Sequence, residues 1–188
     1  MGIVADGFDI QRCVKAAAAI EADLTRLLSD LTESQFHAPQ RTGGWSVGYC
    51  VEHLLLTGHA FLPNWDRALH GAPKVGHHGD QFRYEWWQRA LLRFAENPSR
   101  LRRKTAAPFV PCSRHSIEET VARFYGMHRE FVRRVAGTRG LDAGRAKVQS
   151  PFASWISYSL GFSFDLALAH ERRHLIQAWQ VRQSMEGL

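Results

Sequence analysis

His170-Glu171-Arg172-Arg173-His174 is the stretch of this chain whose residue types and spacing could do chemistry. It fits H-E-x-x-H, the pattern that on a helix offers zinc two imidazoles and a general-base carboxylate. Histidines at i and i+4 share one helix face, so both rings can reach one ion. Glu171 lies about 100° round the helix from His170, which leaves it off that face. A solvated glutamate beside Arg172 and Arg173 is the plainer expectation for it. The protease reading also fails on context. Metzincin spacing needs a histidine at position 180, where the chain has Gln180, and no strand pattern supplies a substrate-binding edge.

Two histidines are too few for a site, so one or two further ligands are needed. His53 lies midway along an apolar helical pattern, next to Leu54-Leu55-Leu56. His128 occupies a stripe position on another helix. Cys50 lies one turn before His53 and could close the coordination as a fourth ligand. His59, His70, His77, His78 and His115 fall at helix ends, in loops or on another face. Gln177, seven residues after His170, could hydrogen-bond a ligand or a substrate. Tyr49 could line the pocket, Arg172 and Arg173 could meet an acidic substrate, and the six tryptophans are expected to be core or interface mass.

Four long helical patterns must position these groups. In the first, from about Asp9 to Leu31, apolar residues step by three and four from Ile10 to Leu31. The second opens at the N-cap candidate Ser46 and runs to about Leu69, with Pro63 expected to kink or break it. The third opens on Ser116, with Glu119 three residues on as a capping box, and ends at Gly137. The fourth is expected from about Ser154 to Met185, with Ile156, Leu160, Ser163, Ala167, His170, His174, Gln177 and Val181 on its inner seam. Connections 32–44 and 71–115 are long, the second with a short helix near Glu85–Ala95. The pattern predicts an all-α helix bundle, one domain over 1–188.

The inner seam of the fourth helix starts small or apolar and then turns polar. A buried imidazole without a partner costs roughly 1–3 kcal/mol. Two of them and a glutamine on one face require a hydrogen-bond network or a metal.

Composition narrows the function classes. The chain has 188 residues, 45% of them hydrophobic and 22% charged, as in ordinary globular proteins. No apolar run is long enough to span a membrane, and no secretory signal is visible. Asp6 spoils a myristoylation pattern. Three widely spaced cysteines, Cys13, Cys50 and Cys112, argue against a disulfide framework and for a cytoplasmic protein. The net charge is +6 and the basic residues cluster in SRLRRK (99–104) and at Arg133-Arg134. No nucleic-acid motif accompanies them, so a solvated basic surface is expected rather than a nucleic-acid partner.

Two segments carry a family resemblance. GGWSVGYCVEHLLLTGHAFL (43–62) and LALAHERRHLIQAWQVR (166–182), in this order and at this separation, resemble the DinB/YfiT-like family. SRLRRKTAAPFVP (99–111) and VQSPFASWISYSL (148–160) resemble connecting loops of one of its branches. The resemblance implies a four-helix bundle with a long crossover connection and a metal triad of His53, His170 and His174. It implies a divalent ion, zinc or nickel foremost, and a homodimer acting on a small molecule. It leaves three functions open: a transferase or isomerase that presents a low-molecular-weight thiol cofactor on the metal, a metal-dependent hydrolase, or a non-catalytic metal- or ligand-binding bundle.

Overall fold

The computed structural model describes residues 6–40, 43–75, 82–96, 105–112 and 114–186. SRLRRK, His77 and His78 lie outside these residues. Helix α1 (Ile10–Leu28) starts where the Asp9 side chain accepts from the Arg12 amide at 2.6 Å. Its stripe Cys13, Ala17, Ile20, Leu24 and Leu27 is buried, as the spacing requires. A short helix α2 (Glu33–His37) interrupts the first connection and carries a reciprocal capping box between Thr32 and Gln35. Helix α3 (Val47–His70) opens on Ser46, whose hydroxyl accepts from the Tyr49 amide.

Pro63 does not break α3. Proline deprives the carbonyl four residues back of its donor, here that of His59. Pro63 and His59 are both exposed, so water can take the vacant bond. Helices α4 (Trp86–Glu96), α5 (Ile117–Ala136) and α6 (Leu160–Glu186) complete the helical set among the described residues. Ser116 caps α5, but only the hydroxyl half of the expected box is present. The Glu119 carboxylate pairs instead with the His115 ring at 2.7 Å.

Helix α6 begins six residues later than the sequence suggests. Residues 147–159 form an antiparallel hairpin, β1 (Lys147–Gln149) with β2 (Ser157–Ser159), and Val148 faces Tyr158. Both of those side chains are buried, and three-residue strands are too short for their burial pattern to stand out in a sequence. Ile156 therefore lies outside the helix and is 39% exposed, not on the inner seam.

Helices α1, α3, α5 and α6 form a four-helix bundle. α3 packs on α5 and α6, and α1 packs on the same two, so α1 stands diagonally from α3. The long crossover from α3 to α5 lays α4 against α6. The core centres on Trp65, which stacks on Phe61 and meets Phe131 and Phe164. Its indole donates to Ser163 Oγ at 2.9 Å, which accounts for a serine on the seam.

Helix α1 is tied to α6 at both ends. Near its start, Arg12 makes a bidentate pair with buried Asp165, at 2.6 and 2.7 Å, and Tyr84 donates to the same carboxylate. Near its end, the Arg182 guanidinium donates to the carbonyls of Arg26, Leu27 and Ser29 at 2.8–3.1 Å. The Arg26 and Leu27 carbonyls belong to the last turn of α1, where carbonyls run out of helical amide donors, and Ser29 is its C-cap. Among the described residues no helix is long and apolar enough to cross a membrane.

Candidate metal centre

His53 stands midway along α3, and His170 and His174 one turn apart on α6. The packing of α3 against α6 brings all three rings together, with one nitrogen of each inside a group no wider than 4.8 Å. Ring centroids are 4.5 Å apart for His53–His174 and His170–His174, and 5.2 Å for His53–His170. The His53 and His170 Nε2 atoms are 3.2 Å apart. Two nitrogens on a tetrahedral ion at about 2.0–2.1 Å stand about 3.3–3.4 Å apart, so the pair already has ligand spacing.

The tautomer of His53 is forced. Its Nδ1 lies 2.8 Å from the carbonyl oxygen of Phe109, which can only accept. Nδ1 therefore carries the proton, and Nε2 turns a lone pair toward the other two rings. This is how metal-ligating histidines are held. The carbonyl comes from a single 3-10 turn, Ala107–Phe109, in the crossover connection. The Nδ1 of His174 is buried without a hydrogen-bond partner, a costly arrangement unless an ion or a water completes it. The donor set therefore fits a divalent metal.

Burial lowers all three imidazole pKa values. His170 is pushed down to about 3 by desolvation first, then by His53 and Arg173. His174 falls to about 2, again by desolvation, then by the two rings and Arg173, with Gln177 opposing. Desolvation lowers His53 too, against the bond to Phe109. The rings are thus neutral and ligand-ready at pH 7. An exposed triad would shed metal as pH falls through about 6.5, but these rings hold off protons well below that. Metal binding at pH 6 should therefore draw almost no protons from the rings, where three solvated imidazoles would give up about two. Calorimetry in buffers of different ionisation enthalpy counts that release. A release of about two protons per chain would show that the rings are solvated and charged.

The other sequence candidates separate clearly. Cys50 is in the apolar core, and burial pushes its thiol up to about 12. It does not join the triad, so among the described residues three donors assemble rather than four. His128 points into the bundle as expected and is fully buried. Its Nε2 meets Glu171 Oε2 at 3.1 Å, and Glu21 Oε1 lies 3.3 Å from Nδ1. Glu171 is thus no solvated glutamate: it is 5% exposed and turned toward α5, which removes it as an H-E-x-x-H base. Arg172 binds Glu96 of α4 at 2.6 Å. Among the described residues the rings that pack on the triad are Trp45 and Phe152, and Tyr49 is not one of them. Trp65 is core, whereas Trp86 and Trp155 are 74% and 85% exposed.

Sequence reasoning missed Trp45, Phe109 and Phe152 as parts of the site. Trp45 had a local signal, since it immediately precedes the cap of the helix carrying His53. Phe109 acts through its backbone, which no side-chain pattern reports.

Comparison with known proteins bears on the fold and the family. YfiT from Bacillus subtilis is described as "a probable metal-dependent hydrolase with an unusual four-helix bundle topology". Its structure superposes with a TM-score of 0.59 over 94% of this chain and 87% of that one, at 19% identity. At that identity the likeness establishes the fold. No curated protein sequence matches the chain. The DinB superfamily profile matches residues 17–178, spanning α3, the crossover and both histidines of α6, and the chain belongs to the DinB superfamily.

Proposed function

We propose that this protein is a metal-dependent hydrolase of small molecules, with His53, His170 and His174 holding one divalent ion, zinc or nickel. The observation that carries the reading is the donor count: three neutral imidazoles converge, and Cys50 stays in the core. Sites closed by four protein ligands are structural, whereas three protein ligands leave a position for water or substrate. When bound, such an ion polarises a substrate oxygen and lowers the pKa of its water toward roughly 7. The chain's own contribution is to orient and to exclude water. The Phe109 carbonyl fixes the His53 ring, and packing on Trp45 fixes His53 and His174. YfiT, with the same fold, is the relative whose description favours hydrolysis.

The thiol-dependent transferase or isomerase uses the same open position, so one experiment separates the readings. The purified protein is analysed for metal, then assayed on ester, amide and phosphoester panels with and without a low-molecular-weight thiol. The expected result is close to one ion per chain and turnover that needs metal and water alone. Turnover that appears only with a thiol would replace hydrolysis by thiol transfer. Absence of bound metal after loading with zinc or nickel would remove both.

A further inference from the structure

Apolar side chains stand on two sides of the triad, delivered by two different loops. Trp45, just before α3, has its ring centroid 4.9 Å from His53 and 6.0 Å from His174, nearly parallel to the latter at 27°. Phe152, in the loop of the β1–β2 hairpin, lies 6.1 Å from His170. It also packs at 4.8 Å on Phe109, the residue whose carbonyl holds His53. Phe152 is nonetheless 43% exposed, and neighbouring Val110 is 44% exposed. Neither exposed side chain is needed to fill the core, which Trp65, Phe131 and Phe164 occupy. A divalent ion on three neutral donors keeps its full charge, and with aromatic rings beside it such a site favours a particular ligand. Its donor to the metal is anionic, and the group attached to that donor is flat and apolar.

We propose that the site takes small molecules in which an anionic oxygen or sulfur donor is attached to an aromatic or similarly flat apolar group, and that Trp45 and Phe152 recognise that group. This rests on the triad holding a divalent ion. Trp45 and Phe152 are specificity residues, because they select the substituent without touching the metal.

Two hydroxamates of equal donor chemistry test the proposal on the cobalt(II)-loaded full chain. Acetohydroxamate carries a methyl group and benzohydroxamate a phenyl ring. Cobalt content is measured first, and binding is then read from the change in the visible spectrum of the ion. Benzohydroxamate is expected to bind about 10-fold or more tightly than acetohydroxamate, the gain of burying a ring against two aromatic faces. Phe152→Ala should cut that ratio by more than half on fully cobalt-loaded protein, and Trp45→Ala, which also frees the His53 and His174 rings, should cut it likewise while lowering cobalt affinity. Phe152→Ala also gives up an edge contact with core Phe61, so its fold is checked by thermal unfolding, and the native comparison needs no variant at all. Equal affinities on fully loaded protein overturn the proposal and leave the metal reading standing. Failure to take up cobalt, zinc or nickel overturns both. If the two affinities are equal and Phe152→Ala instead changes the oligomeric state, the rim is a contact between copies and the proposal falls.

Discussion

The double variant His170→Ala/His174→Ala is expected to lose metal affinity on the order of a thousandfold or more, and to gain acid tolerance. The first effect follows from leaving His53 as sole donor. The second follows from the lowered pKa values. Below about pH 6.5 the unfolded chain takes up protons on these imidazoles, while the folded apo protein does not until about pH 3 for His170 and about pH 2 for His174. The unfolded state then binds more protons, so stability is present above pH 6.5 and lost as pH falls. At pH 4.5 each ring costs the native apo protein about 2–3 kcal/mol. Urea unfolding at pH 7 and pH 4.5, with and without metal, measures both effects. The native apo protein should lose several kcal/mol between the two pH values and the variant far less. Equal losses in both proteins would mean that the triad is not desolvated as described. The site is therefore a local weakness of the apo bundle that a bound ion relieves.

His128→Leu should be strongly destabilising although it lies away from the triad. His128 is fully buried, with Glu171 at 3.1 Å and Glu21 at 3.3 Å. Burial alone would lower its pKa, but the two carboxylates outweigh burial and raise it. Leucine leaves the buried Glu171 carboxylate without its partner, which costs about 3–5 kcal/mol. Adding Glu171→Leu should restore much of that loss, because removing both charges also removes their desolvation penalty. Thermal or urea unfolding of the two variants gives the comparison. A double variant as unstable as the single one would show that the pair itself contributes the stability. The pH dependence runs opposite to that of the triad. A raised histidine pKa gives stability that is full below about pH 6.5 and fades as pH rises through the folded value.

The long helices were legible because their apolar spacing is a direct image of burial. Cys13, Ala17, Ile20, Leu24 and Leu27 can lie on one side of the chain only if it is helical, and that side is buried. His170 and His174 were legible for the same reason, because polar residues on an apolar seam demand a partner. Other features depend on contacts that sequence spacing does not encode. The start of α6 was misplaced because the β1–β2 pairing is tertiary and only three residues long. Glu171 looked solvated because its neighbours in sequence are arginines, whereas its neighbour in space is His128, 43 residues away. The Arg12–Asp165 pair spans 153 residues and leaves no local trace.

The two ties between α1 and α6 bear on how an ion would leave. Arg12 and Arg182 bind α6 to α1 at both ends, so these helices behave as one stiff strut carrying His170 and His174. His53 belongs to a different strut, α3, and its ring is steered by a carbonyl of the crossover connection and by packing on Trp45. The seam between α3 and α6 is packed more extensively than that between α1 and α6, so the freedom left to the triad lies in the crossover turn and not in the seam. A departing ion should lose His53 first, when that turn releases the ring, and rest for a moment on the two-histidine clip of one helix. Its residence time is then expected to follow how often the turn opens.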